Sequence, residues 1–259
     1  MNDNKTIVPL EKYNITCIYD ISDYKEKDSS KITNVFWFPN PIVNDMLLSF
    51  CKKNGYSNVL EIGPGVSPFK IATTFIGLNE KVSNYINVDI NDNKLPFPDK
   101  HFDFTYCRHV LEDIQNPNFA LSEIKRVSKS FYIETPSPLV EITRGVDAPK
   151  YSYKYRGYIH HRYFIWVDYF TNTIHMLPKF PMIETVLELS ETLQNRINYI
   201  LNNYPVYWNT YLICENLNDV NIKIHNNTGW DEYASLIEKA VNTTIENVNY
   251  FINKIEQIL

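Results

Sequence analysis

Two glycines one residue apart, just after an acidic residue, are the densest chemical signal in this chain: Glu61, Gly63 and Gly65 in VLEIGPGVSPF. The chain has only seven glycines in 259 residues, so the pair marks backbone that something must approach closely. The apolar run Val59, Leu60, Ile62 reads as a strand, and Ser67-Pro68 reads as the cap and first residue of a helix expected to run to about Gly77. In such a strand–turn–helix unit the free N–H groups of the first helical turn point at a ligand. A dinucleotide fingerprint would need a third glycine at position 68, where this chain has Pro68, so a nicotinamide or flavin reading weakens.

Other candidates follow along the chain. Asp89, in the alternating NYINVDI, stands at the distance expected between a nucleoside-binding turn and an acidic residue that takes ribose hydroxyls; capping the next loop is the plainer role. Arg108 and His109 follow the short strand FDFTYC and so stand at its carboxyl end, where ligands sit in open α/β sheets. Arg108 is suited to a carboxylate of a cofactor or acceptor. His109 is suited to a base, or simply to capping the next element. His160 and His161 lie in PSPLVEITRGVDAPKYSYKYRGYIHHRYF, where Arg144, Lys150, Lys154, Arg156 and Arg162 alternate with tyrosines. That stretch is either a solvated aromatic loop or a surface for anions and hydroxyls.

Residues 59 to 134, which carry LEIGPG, NVDI, LPFPDKHFDFTYCRHVLEDI and SEIKRVSKSFYIE in that order, resemble the type 11 methyltransferase family of class I S-adenosylmethionine-dependent enzymes. The resemblance implies an α/β, Rossmann-like sheet, mostly parallel with one late antiparallel strand, and S-adenosyl-L-methionine as cofactor. It places the cofactor on Glu61, Gly63 and Gly65, with Asp89 on the ribose. It also implies an adenine contact near Asn91 and the adjacent Asp92 and an apolar wall from Leu95, Pro96 and Phe97, while Arg108, by its place at a strand end, is within reach of the cofactor. Two departures are visible: Ser67 replaces the usual third glycine, and only NDNK separates Asp89 from LPF. The second predicts that the family's third strand is absent or reduced.

The chain's formal charge of −5 gives no general attraction to nucleic acid or an anionic membrane. Its four cysteines, Cys17, Cys51, Cys107 and Cys214, form no CxxC pair, which argues against a zinc site or a disulfide framework and leads to an expectation of no metal. The polar N-terminus does not read as a signal peptide, and no apolar run is long enough to span a bilayer; a cytoplasmic location is expected.

Four segments are expected. Residues 1–40 form an N-terminal cover or a substrate lid, and 41–135 the cofactor-binding core, opened by a helix at Asn40-Pro41. Residues 136–181 form an insertion with a hairpin turning at 171–173. Residues 182–259 complete the fold with a helix over about 182–202, a late core strand in VYWNTYLICEN with NIKI as partner, and a long helix from Trp230 whose apolar stripe packs on the sheet or forms a homodimer contact.

Methyl transfer draws mainly on proximity, worth up to ~7 to 11 kcal/mol in aligned systems, so few dedicated catalytic residues are needed. For a hydroxyl acceptor a base helps, and His109, His160 and His161 are the candidates, with Glu134 a weaker one. The expected acceptor is a small polar molecule such as a sugar or nucleotide-sugar. The alternatives are a non-catalytic S-adenosylmethionine-binding or regulatory protein and, with less support, a nucleic-acid methyltransferase, whose only support is the basic stretch at 144–162.

Overall fold

The computed structural model describes residues 39–78, 84–144, 146, 155–180, 183, 189–215, 220–226 and 228–258. The N-terminal cover or lid, Cys17, Lys150 and Lys154 lie outside the described residues.

Helix α1 (Pro41–Lys53) starts where the sequence says it should. The Asn40 side chain accepts from the Ile42 and Val43 amides, Pro41 occupies the first turn, and Lys52 and Lys53 face the negative end of the helix dipole. Its buried stripe is Val43, Met46, Leu47, Phe50 and Cys51. Helix α2 (Pro117–Val127) repeats the device, with Asn116 accepting from the Phe119 amide.

Six strands build the main sheet: β1 (Val59–Ile62), β2 (Thr74–Gly77), β3 (Tyr85–Asn87), β4 (Phe102–Arg108), β5 (Ser128–Pro136) and β8 (Asn209–Cys214). Their order is β3-β2-β1-β4-β5-β8, with only β8 antiparallel, the single late antiparallel strand that the resemblance implies. One row of apolar residues crosses every strand: Ile86, Ile76, Ile62, Cys107, Ile133 and Leu212. The next residue on each parallel strand is Asn87, Gly77, Gly63, Arg108 or Glu134, so the sheet turns from apolar to polar and glycine-rich within one residue at its carboxyl edge.

A short helix α3 (Pro138–Glu141) follows β5, capped by Ser137. Strands β6 (Tyr163–Asp168) and β7 (Thr173–Pro178) then form the expected hairpin, with Asn172 at φ +47° in its turn. Helix α4 (Glu191–Asn203) and a 3₁₀ turn (Pro205–Trp208) lead into β8. Helix α5 (Trp230–Ile258) buries Tyr233, Ile237, Ala240, Val241, Val248, Phe251 and Ile252, and packs on β6, β8 and α1. Its apolar stripe is therefore used inside the chain.

Several expectations need correction. No helix follows the glycine turn: residues 74–77, expected to be its last turn, are strand β2. The stretch Ile71-Ala-Thr-Thr-Phe-Ile76 is rich in β-branched and aromatic residues, which suit a pleated surface better than a helix. Ser67-Pro68 accordingly caps nothing. No strand lies between Asp89 and Phe102, as the short NDNK link predicts; the unexpected strand is β2, which precedes NYINVDI, and no helix connects β1 to β2. Asp89 therefore follows strand three, not strand two. The segment NIKI pairs as β9 (Asn221–Ile224) with β7 in a separate sheet ordered β6-β7-β9, not with β8. Helix α4 starts at Glu191 because Ser190 caps the Leu193 amide; residues 184–188, which the longer expected helix included, lie outside the described residues.

Candidate functional site at the carboxyl edge of the main sheet

At the β1 turn, Gly63 and Gly65 adopt φ of +66° and +54°, the left-handed region that favours glycine. A Cβ on Gly63 would come within 2.7 Å of Val110 Cγ2, so the loop after β4 lies directly against this turn. Gly77, at the end of β2, brings its own missing Cβ position to 3.6 Å from the Gly63 Cα. Two strand ends can thus approach each other only as bare backbone. Nearby, the Tyr85 hydroxyl lies 3.2 Å from that Cβ position and is buried without a hydrogen-bond partner. Glu61 is buried beneath the turn, and its Oε2 accepts from the Phe69 amide at 2.8 Å, which closes the loop over residues 63–69.

On the β3 side, Asp89 Oδ1 accepts from the Asn91 amide, and Asn91 Oδ1 accepts from the Gln115 and Asn116 amides. Asn91 therefore ties the β3 end to the start of α2, a fastening role the sequence did not reveal. Asp92 is exposed. Leu95 is buried in the core, with its backbone held by Glu123 and Arg126, so its side chain packs inward.

The β4 and β5 ends carry a linked polar network. Arg108 Nε donates to Glu134 Oε1 at 3.0 Å, and Tyr132 donates to Glu134 Oε2 at 2.6 Å. Asn209 Nδ2 also donates to Glu134 Oε1, at 2.6 Å. That bond fixes the Asn209 amide, because its remaining Oδ1 must then accept from His109 Nε2, 3.1 Å away. His109 is consequently the Nε2–H tautomer, and its Nδ1 lone pair faces Glu112 Oε1 at 3.8 Å. His109 also holds φ +52°, a strained conformation for a residue with a Cβ. Burial, with Arg108 and His161 adding to it, holds its imidazole well below the ordinary histidine range, so it is neutral at physiological pH.

Glu112 is the residue that sequence reading missed. It is 1 % exposed, and neither carboxylate oxygen has a hydrogen-bond partner. Burial pushes it up to about 8, which the neighbouring His161 only partly offsets. In HVLEDI it looked like one more acidic residue near a helix start, and its burial arises from the fold around it.

His161 lies next to this network. Its Nδ1 donates to Glu141 Oε1 at 2.6 Å, and Lys179 Nζ donates to Glu141 Oε2 at 2.6 Å. Burial alone would raise Glu141, but Lys179 and His161 together pull it down to about 2. Burial works against a charge on His161, yet the Glu141 carboxylate overcomes it and raises the imidazole above its ordinary value. His160 is exposed and stacks edge-on against His161 at 4.4 Å. The insertion's cations are partly consumed by the fold: Arg156 Nη1 donates to the Ile142 carbonyl and Arg162 Nε to the Asp113 carbonyl.

Residues 47–130 match the sequence model of the Methyltransferase domain family, type 11. This segment is a methyltransferase domain. The methyltransferase segment holds the glycine turn, β1 to β4, α2 and the His109–Glu112 loop, whereas β6 to β9 and α5 lie beyond it. Among solved structures the chain is similar to an S-adenosylmethionine-dependent methyltransferase from Aquifex aeolicus, at 21% identity over 44% of this chain and 75% of that one, with TM-score 0.30. It is also similar to the YcgJ protein from Bacillus subtilis, at 22% identity over 37% of this chain and 51% of that one, TM-score 0.28. A third is an S-adenosylmethionine-dependent methyltransferase from Mesorhizobium loti, at 16% identity over 33% of this chain and 49% of that one, TM-score 0.26. The chain spans about half the length of the latter two. No curated protein matches the chain.

S-adenosylmethionine is the cofactor that the sequence resemblance implies, and the residues present fit it. The methyltransferase turn leaves open space at Gly65, and beside Gly77 the buried Tyr85 hydroxyl lacks a partner. The polar edge continues through Arg108 and Glu134. Among the described residues no helix is long and apolar enough to cross a membrane.

Proposed function

We propose that this chain uses S-adenosylmethionine to O-methylate a small polar acceptor, such as a sugar or nucleotide-sugar, bound over the carboxyl ends of β4 and β5. The observation that carries the reading is the pair formed by His109 Nδ1, the lone pair of a neutral imidazole, and the buried Glu112 carboxyl group 3.8 Å away beside the glycine turn, whose oxygens have no hydrogen-bond partner. An acceptor hydroxyl is the kind of group that supplies a donor to such a pair. When bound, S-adenosylmethionine supplies an electrophilic methyl group on its sulfonium.

The chain's own residues have separable roles in this reading. Gly65 leaves open space at the turn for the nucleoside, and Val110, packed on Gly63, couples the cofactor turn to the acceptor loop. His109 takes the acceptor's hydroxyl proton at Nδ1 while Asn209 holds its Nε2–H; the new imidazolium then lies 3.9 Å from Glu134 Oε1. Base assistance of this kind contributes on the order of 100- to 10,000-fold. Arg108 is braced by Glu134 and holds positive charge at the same edge.

The test offers free sugars and nucleotide-sugars together with S-adenosylmethionine carrying a ¹³C-methyl group, and follows the label by mass spectrometry. A labelled hydroxyl product, with turnover reduced roughly 100-fold or more in His109→Gln and cofactor affinity unchanged by calorimetry, is expected. Equal turnover in that variant would remove His109 from the base role. Labelling of amines alone would overturn the hydroxyl acceptor.

A further inference from the structure

The cluster beyond the Glu112 loop has the donor set of a metal centre. Asp113, His160 and His161 each offer one ligand atom, and the three atoms lie within 4.8 Å of one another. Asp113 Oδ1 is 3.9 Å from both His160 Nε2 and His161 Nε2. We propose that Asp113, His160 and His161 hold a divalent first-row transition-metal ion, with open coordination positions toward the acceptor side of the carboxyl edge. The placement of the acceptor rests on the methyltransferase reading above; the ion site itself does not.

Three features beyond the cluster point to a ligand. The first is the partner behind His161. A histidine that binds a metal through one ring nitrogen almost always donates the other N–H to a carboxylate or carbonyl, which fixes the ring and its tautomer. Glu141, buried and braced by Lys179, does this at 2.6 Å from Nδ1, which leaves Nε2, 3.9 Å from Asp113 Oδ1, as the nitrogen that exchanges its proton for an ion.

The second is the fastening of the two loops that bring the ligands together. The Arg162 amide donates to the Glu112 carbonyl at 2.7 Å and Arg162 Nε to the Asp113 carbonyl at 2.9 Å, so the residue next to His161 is tied twice to the loop that carries Asp113. The third is the gradient of exposure. The His161 side chain is 5% exposed, Asp113 41% and His160 60%, so one ligand is rooted in the core while the opposite side is open to water and to a substrate oxygen.

Two imidazoles and one carboxylate with free positions form a set that favours divalent transition ions over calcium or magnesium, which prefer all-oxygen surroundings. The spacing is wider than a filled shell requires, and the two exposed side chains are the ones that must close in. The absence of paired cysteines excludes thiolate zinc sites and does not bear on this nitrogen and oxygen set. An ion here would bind an acceptor oxygen and favour loss of its proton, the Lewis-acid role that needs no redox change.

The experiment titrates the full chain, freed of metal with a chelator, with Co²⁺ alone, reading visible absorption and calorimetric heat. One ion per chain is expected, with affinity reduced roughly tenfold or more in Asp113→Asn and in His160→Ala, both at exposed positions where folding should be preserved and can be checked by circular dichroism. Absence of saturable binding, or equal affinity in the wild type and both variants, would overturn the site. Binding of S-adenosylhomocysteine is measured on the same preparations. Cofactor product bound without cobalt rejects the metal centre only, and cobalt bound without cofactor product rejects the methyltransferase reading only.

Discussion

Two regions of this chain carry close histidine pairs and use them in opposite ways. At the carboxyl edge of the main sheet His161 donates to a buried carboxylate, and its imidazole is raised above the ordinary value. In the three-stranded sheet His175 Nδ1 contacts His225 Nε2 at 3.0 Å, and both rings stack against Trp166. There burial, reinforced by His225, lowers His175 to about 4, and burial with Lys223 and Lys239 lowers His225 as well. The histidine side chain is the same in both places. What faces the ring decides whether it is a charged, oriented group or a flat neutral surface that packs. The first region also holds an unpartnered carboxylate, left-handed glycines and a strained His109, which are features of a site that gives up stability for chemistry.

The sharpest way to break the comparison is Glu141→Gln. Removing the carboxylate leaves Lys179 and the imidazolium of His161 without their shared counter-charge, and breaking such a buried pair costs ~3–5 kcal/mol. Denaturant unfolding should show that loss, and a variant as stable as the wild type would mean that Glu141 does not hold the region together. A smaller effect is expected from Gly63→Ala, which forces a Cβ to 2.7 Å from Val110 at φ +66°. Strain of ~1–3 kcal/mol and weaker binding of S-adenosylhomocysteine should both appear. Gly65→Ala, with open space around it, should show the backbone strain without the clash. Equal behaviour of the two variants would show that the Val110 contact does not matter.

The smallest effect tests the second region through pH. His175 has its folded value lowered from 6.5 to about 4, so the unfolded chain binds the extra proton first. Stability contributed by neutral His175 is therefore present above pH ~6.5 and lost as pH falls toward about 4. The groups facing this pair are Asp168 on β6, Lys223 on β9, and Glu232 and Lys239 on α5. Because the ring is only half-buried, the loss after solvent screening is about 1 kcal/mol. His175→Gln should flatten the difference between unfolding curves at pH 7 and pH 4.5, and a slope unchanged by the substitution would assign the acid sensitivity elsewhere.

Much of the frame was written locally. Asn40-Pro41 and Asn116-Pro117 start helices because a side-chain acceptor and a fixed φ act within one turn. The E-x-G-x-G turn was equally legible, since only glycine takes up left-handed backbone at little cost. The sequence alone therefore determined the strand-and-turn character at 59–65, the order of the core motifs, and the placement of Arg108 and His109 at a strand end.

Tertiary structure decided the rest. Residues 74–77 became a strand because β1 and β3 offered pairing on both sides, so the expected helix was lost and Asp89 moved from strand two to strand three. The stretch NIKI joined β7, a partner that lies far from it in the chain. Glu112 became a candidate for chemistry only when Arg162 and the β4 loop closed over it. Whether a carboxylate is solvated, paired or left without a donor depends on neighbours brought from distant positions, and no local pattern of residue types records that.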